Sequence, residues 1–150
     1  MERNPKLLIS ACLCGVPCRY DGNHNRIDDI EVLKTIFHLI PQCPEVLGGL
    51  DTPRMPAERS GFHVITADGM DVTKAFVEGA QCVLNIVLKE NCKIALMKSK
   101  SPSCGYQRIY DGHFTKTLTN GHGVTVEYLL EHNIAIYTET DIDQLIEKYT

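Results

Sequence analysis

Nowhere in the 150 residues do five like charges run together, and no apolar stretch approaches the ~18 residues that a membrane-spanning helix needs. The opening Met-Glu-Arg-Asn-Pro has no basic segment leading into an apolar one, so neither export nor membrane insertion is expected and the protein is assigned to the cytoplasm. A net charge of -4 leaves no basic field for gripping a phosphate backbone, which disfavours polymeric DNA or RNA as a partner. Cys-x-x-Cys is absent as well, which argues against thioredoxin-like exchange. The seven cysteines are odd in number, and a reducing compartment disfavours disulfides, so metal binding or thiol chemistry explains them better than a disulfide framework.

What remains is a chain of the size of one domain, residues 1–150, with 43% hydrophobic residues and no repeat or low-complexity segment. Leu7-Leu8-Ile9, Phe37 to Ile40, Phe62 to Thr66, Ile94 to Met97 and Ile134 to Tyr137 read as short strands. Helices are expected between them. Asp28 with Glu31 can form a reciprocal cap before Ile30, Leu33, Phe37 and Ile40, whose helical spacing competes with the strand reading of Phe37 to Ile40. Asp71 or Thr73 can cap a long helix with Ala75, Phe76, Ala80, Val83, Leu84 and Val87 on one face, ending near Asn91. A helix near 125–132 and a last one capped by Thr140 complete the alternation. The stretch holding Gly48, Gly49, Pro53 and Pro56 is a loop and a candidate wall of the site. Strands alternating with helices predict an α/β class: a single-domain, open, mainly parallel sheet with helices on both faces, Rossmann-like.

Cys12, Cys43 and Cys104 each follow one of these apolar runs. Loops beyond the carboxyl ends of parallel strands converge on one crevice, so three distant thiols are expected to become neighbours there and to hold a metal or an iron–sulfur group. Glu45 follows Cys43-Pro44 and would share that crevice as a carboxylate able to relay a proton. The loop Lys98 to Gly105 offers the hydroxyls of Ser101 and Ser103 beside Cys104, and Arg19 beside Cys18 would favour a reactive thiolate. Cys82 fits a core filler on the long helix, Cys92 carries no signal, and Cys14 is one residue from Cys12, a spacing that matches no common ferredoxin or zinc pattern. The six histidines are scattered without ligand spacing, which makes zinc the lesser option.

The segments Ser-Ala-Cys-Leu-Cys-Gly-Val-Pro-Cys-Arg-Tyr-Asp-Gly (10–22), Cys-Pro-Glu-Val-Leu-Gly-Gly-Leu (43–50), Pro-Arg-Met-Pro-Ala-Glu (53–58) and Lys-Ser-Lys-Ser-Pro-Ser-Cys-Gly (98–105) resemble the thiouracil desulfurase (desulfidase) family, long catalogued as a domain of unknown function. The resemblance implies a [4Fe-4S] cluster held by three cysteines only, here Cys12, Cys43 and Cys104, with one iron open. It implies non-redox desulfuration of a small thiolated pyrimidine, 2- or 4-thiouracil-like: the open iron binds the thiocarbonyl sulfur, water attacks the carbon and sulfide leaves. The family's catalytic carboxylate matches Glu45 and its catalytic thiol Cys18, with Ser101 matching the serine on which members lacking that thiol rely. Arg19 and Ser103 are the candidates for contacting substrate, and Cys14 departs from the leucine usual in the pattern. Two other functions remain open at this point: a sulfur carrier for thiolation, and a non-catalytic metal-binding or sensor domain.

Overall fold

The computed structural model describes residues 4–150. Its centre is a four-stranded sheet in the order β2 (His38–Gln42), β1 (Lys6–Ser10), β5 (Ile94–Met97), β8 (Ala135–Thr138), every pair parallel. The central strands β1 and β5 are apolar on both faces, as a doubly covered parallel sheet requires. Leu7 and Ile9 with Ile94 and Leu96 face one core, shared with Leu33 of α1 (Ile30–Ile36) and with Ile142 and Leu145 of α5 (Ile142–Tyr149). Leu8, Ala95 and Met97 face the other, against Val83 and Val87 of α3 (Thr73–Lys89) and Val126 and Leu129 of α4 (Val124–Glu131). Helices therefore cover both faces, and the α/β reading holds.

The chain leaves β1 for β2 on one side and returns past it to β5 on the other, so β1 and β5 flank the point where the strand order reverses. Loops at the carboxyl ends of these two strands run apart and open a crevice between them. That crevice is the site.

Several local expectations are corrected. Helix α1 stops at Ile36 with Phe37 as its extended cap, and His38 to Ile40 belong to the sheet: His38–Gln42 pair along all of β1, and that ladder outweighs the helical spacing. Pro41 is tolerated because β2 is an edge strand. No side-chain cap forms at Asp28 or Asp29, since Glu31 is drawn into ion pairs with Arg26 and Lys34. Thr138, rather than Thr140, makes the capping box with Asp141 ahead of α5. Cys82 is exposed on α3 and fills no core, whereas Cys92 is buried. Two antiparallel hairpins, β3 (Ala57–Ser60) with β4 (His63–Thr66) and β6 (Arg108–Tyr110) with β7 (Leu118–Asn120), and the one-turn α2 (Pro44–Leu47) complete the structure.

The short helix α2 lies directly on α3. A Cβ added at Gly79 would stand 1.9 Å from Pro44 O, and one at Gly48 2.0 Å from Ala75 O, so only two glycines allow this approach of backbone to backbone. Gly79→Ala should therefore destabilise the protein by about 1–3 kcal/mol through overpacking, although in an open helix the same change would gain about 0.5–1 kcal/mol. Urea unfolding reads the sign, and a more stable Gly79→Ala would show that α2 moves away freely.

Candidate active site

Strand β1 runs into a turn of 3-10 helix, Ala11–Cys14, which sets Cys12 just beyond the sheet edge. Cys43 follows β2 directly, where its extended backbone starts α2 with Pro44 in the first turn. Cys104 sits in the loop after β5. All three line one cavity of about 570 Å³ at the carboxyl edge, together with Cys18, Glu45 and Ser101. Cys14 does not join them. It packs against the α1/α5 core and lines a separate depression with Lys34 and His38.

Burial pushes the Cys12 thiol up, opposed by the side-chain amide of Asn25, whose Nδ2 lies 3.4 Å from the sulfur. Burial raises the Cys104 thiol further, opposed by the hydroxyl of Ser10. The Cys43 thiol donates to Cys18 O at 3.8 Å. The two thiols titrate as a pair, with the proximity of Cys43 and burial pushing Cys18 up and the proximity of Cys18 drawing Cys43 down against its own burial. These are sulfur donors whose protons are given up when a metal binds.

Glu45 points inward from α2 with its side chain 18% exposed, and burial holds its carboxyl above the ordinary range against the pull of Arg54. Arg54 Nε donates to Glu45 Oε1 at 3.0 Å, and the rest of the guanidinium donates to Cys18 O at 2.8 Å, Asp51 O at 3.1 Å and Thr52 Oγ1 at 3.0 Å. One cation thus joins the Cys18 loop, the 51–54 loop and the carboxylate. A fork with five donors suits such a junction.

Ser101 Oγ accepts from the N–H groups of Ser103 at 3.1 Å and Cys104 at 3.0 Å, which shapes the turn carrying that cysteine and leaves its own O–H to donate. Ser103 is fully buried, bonded to Thr125 Oγ1 at 2.7 Å, and is not in the cavity wall. It therefore anchors the loop to α4 and is not placed to touch a substrate. Arg19 does border the cavity, but its guanidinium is engaged by Asn25 Oδ1 at 2.9 Å and by Asp21 at 3.1 Å.

Sequence reasoning missed Asn25 and Arg54, although Arg54 lies between Pro53 and Pro56 in a loop already expected to wall the site. It also missed the far wall, where Tyr110, Phe114 and Lys116 of the β6–β7 hairpin line the cavity. Glu58 of β3 secures that hairpin by accepting from Gly112 N at 3.0 Å and Phe114 N at 3.2 Å. Lys98, also at the wall, is paired with Glu139 at 2.8 Å.

Comparison with known proteins shows the family. A solved structure of the [4Fe-4S]-dependent thiouracil desulfidase TudS (DUF523Vcz) superposes with a TM-score of 0.91 and 41% identity, covering 97% of each chain. The uncharacterized protein YbbK of Bacillus subtilis (strain 168) is 35% identical over a 150-residue alignment spanning 93% of this chain and 99% of that protein. The model of the 2-thiouracil desulfurase family matches residues 7–141, which takes in every cavity thiol and Glu45 and makes this chain a member of that family.

Proposed function

We propose that the protein is an iron–sulfur-dependent enzyme that removes sulfur from a thiolated pyrimidine, replacing C=S by C=O with water as the oxygen source and sulfide as the product. The observation that carries this reading is the meeting of Cys12, Cys43, Cys104 and Glu45 in one cavity, in a member of this family. The donor set suits a [4Fe-4S] cluster. It is all thiol, which selects soft metals. In such a cluster each thiolate takes a different iron, so three thiols lining one cavity suit it.

Cys12, Cys43 and Cys104 would hold the cluster. When bound, it supplies an iron without a protein ligand, a thiophilic Lewis acid that prefers a thione sulfur to a carbonyl oxygen. Glu45 takes the proton of the attacking water, held in place for this by Arg54. Cys18 supplies a proton on the leaving side, and the Ser101 hydroxyl, with its O–H free to donate, orients the heterocycle. The cavity is closed in by the hairpin bearing Tyr110 and Phe114, a size and shape for a small molecule rather than a polymer. A reducing cytoplasm suits seven unpaired cysteines, and no helix among the described residues is long and apolar enough to cross a membrane.

The test is turnover. Protein prepared and loaded without air should convert 2- or 4-thiouracil to uracil with many equivalents of sulfide per protein, whereas a carrier would stop at one. Cys18 is the fourth thiol in the cavity, so it is either a proton group or a fourth ligand. Cys18→Ala is expected to keep wild-type iron and lose about 10²-fold or more in rate. Iron loss in that variant would make the cluster fully ligated and the open-iron reading untenable.

A further inference from the structure

We infer that Asn25 is a positioning residue for Cys12: its side-chain amide donates a hydrogen bond to the sulfur, and Arg19 fixes which end of the amide faces that sulfur. Asn25 grips Cys12 twice, through its backbone N–H on Cys12 O at 2.9 Å and through Nδ2 on Cys12 Sγ at 3.4 Å. The two ends of an Asn amide are told apart only by their partners. Here the partner is decisive. Arg19 Nη1 lies 2.9 Å from Oδ1, and a guanidinium has donors only, so Oδ1 must face Arg19 and the N–H must face sulfur. Arg19 is itself held by Asp21 at 3.1 Å and lies against the Tyr20 ring. The chain Asp21, Arg19, Asn25, Cys12 is thus a relay of fixed polarity ending on a sulfur.

The inference rests on the proposal that Cys12 binds cluster iron. A hydrogen bond to a ligating thiolate draws charge from it, which raises the reduction potential of an iron–sulfur group. Hence Asn25, from the cavity wall, sets the electronic character of one corner of the cluster. Arg19, expected from sequence to contact substrate, acts behind it instead.

Spectroelectrochemistry on anaerobically loaded wild-type, Asn25→Leu and Arg19→Met proteins, with iron counted in each sample, reads this directly. In Asn25→Leu the midpoint should fall by the equivalent of about tenfold in the reduced-to-oxidised ratio, ~59 mV for one electron, with iron content unchanged. Arg19→Met, which frees the amide to turn, should fall less and in the same direction. A wild-type midpoint in iron-replete Asn25→Leu overturns the inference. Should Asn25→Leu shed its iron, Arg19→Met decides: a lowered midpoint upholds the relay and an unchanged one overturns it. Wild-type protein that takes up no iron at all removes the cluster reading, and the inference with it, and so fails in a visibly different way.

Discussion

Cys12→Ser, Cys43→Ser and Cys104→Ser should each lose most of the cluster iron, and with it nearly all desulfuration. A hydroxyl is a hard, weakly acidic donor, whereas iron in a sulfide cluster takes thiolates. A cluster anchored at three points has no protein ligand in reserve. Cys18, the remaining thiol of the cavity wall, is assigned to proton transfer and not to iron. Cys82→Ala, on the exposed side of α3, and Cys14→Ser, in a different depression, should retain full iron. Iron and sulfide analysis with the visible absorption of protein prepared without air settles the set. Full iron in Cys104→Ser together with loss in Cys14→Ser would show that the third ligand is the wrong one.

Glu45→Gln should leave the cluster in place and thiouracil binding near wild type, yet slow turnover by ~10²–10⁴-fold, the usual effect of removing a positioned proton-transfer group. The amide keeps the shape of the carboxylate, and its oxygen can still accept from Arg54 Nε. The loss therefore falls on kcat and not on folding. Steady-state kinetics on 2- or 4-thiouracil, with cluster occupancy measured in the same sample, separates the two. Wild-type turnover in Glu45→Gln would reduce Glu45 to a buried partner for Arg54.

The elements that the sequence made legible are those whose signal is local. Ile94 to Met97, buried on both faces, could be little other than a central strand, and the spacing of Phe76, Ala80, Val83 and Val87 fixes the inner face of α3. The gathering of Cys12, Cys43 and Cys104 at one cavity followed from the general rule for parallel sheets, with no knowledge of distances. What stayed hidden depends on partners remote in sequence. Glu58 fastens a hairpin tip more than fifty residues away, and the three-residue strands of that hairpin carry no periodicity to find. Ser103 looked like a site hydroxyl because it adjoins Cys104, but the pairing with Thr125 that buries it lies across a helix start. Arg19 was visible as a cation beside a site and Arg54 was passed over, and a sequence says of neither that its fork is already filled.

The position of the three proposed ligands beyond the ends of three different strands also bears on how the protein is made. β1, β2 and β5 are joined by long crossovers, so their carboxyl ends come together only after the most non-local contacts of the fold have formed. No ribosome-bound fragment ending before Cys104 can present the full proposed ligand set, so on this reading the cluster is expected to be delivered late. A cluster seated as proposed would tie the ends of three strands to one rigid body, and by binding the native state it would add its free energy to that of the sheet. Loss of the cluster to air would then loosen the polypeptide as well as silence it, and the apo-protein should be the form that unfolds first and is cleared.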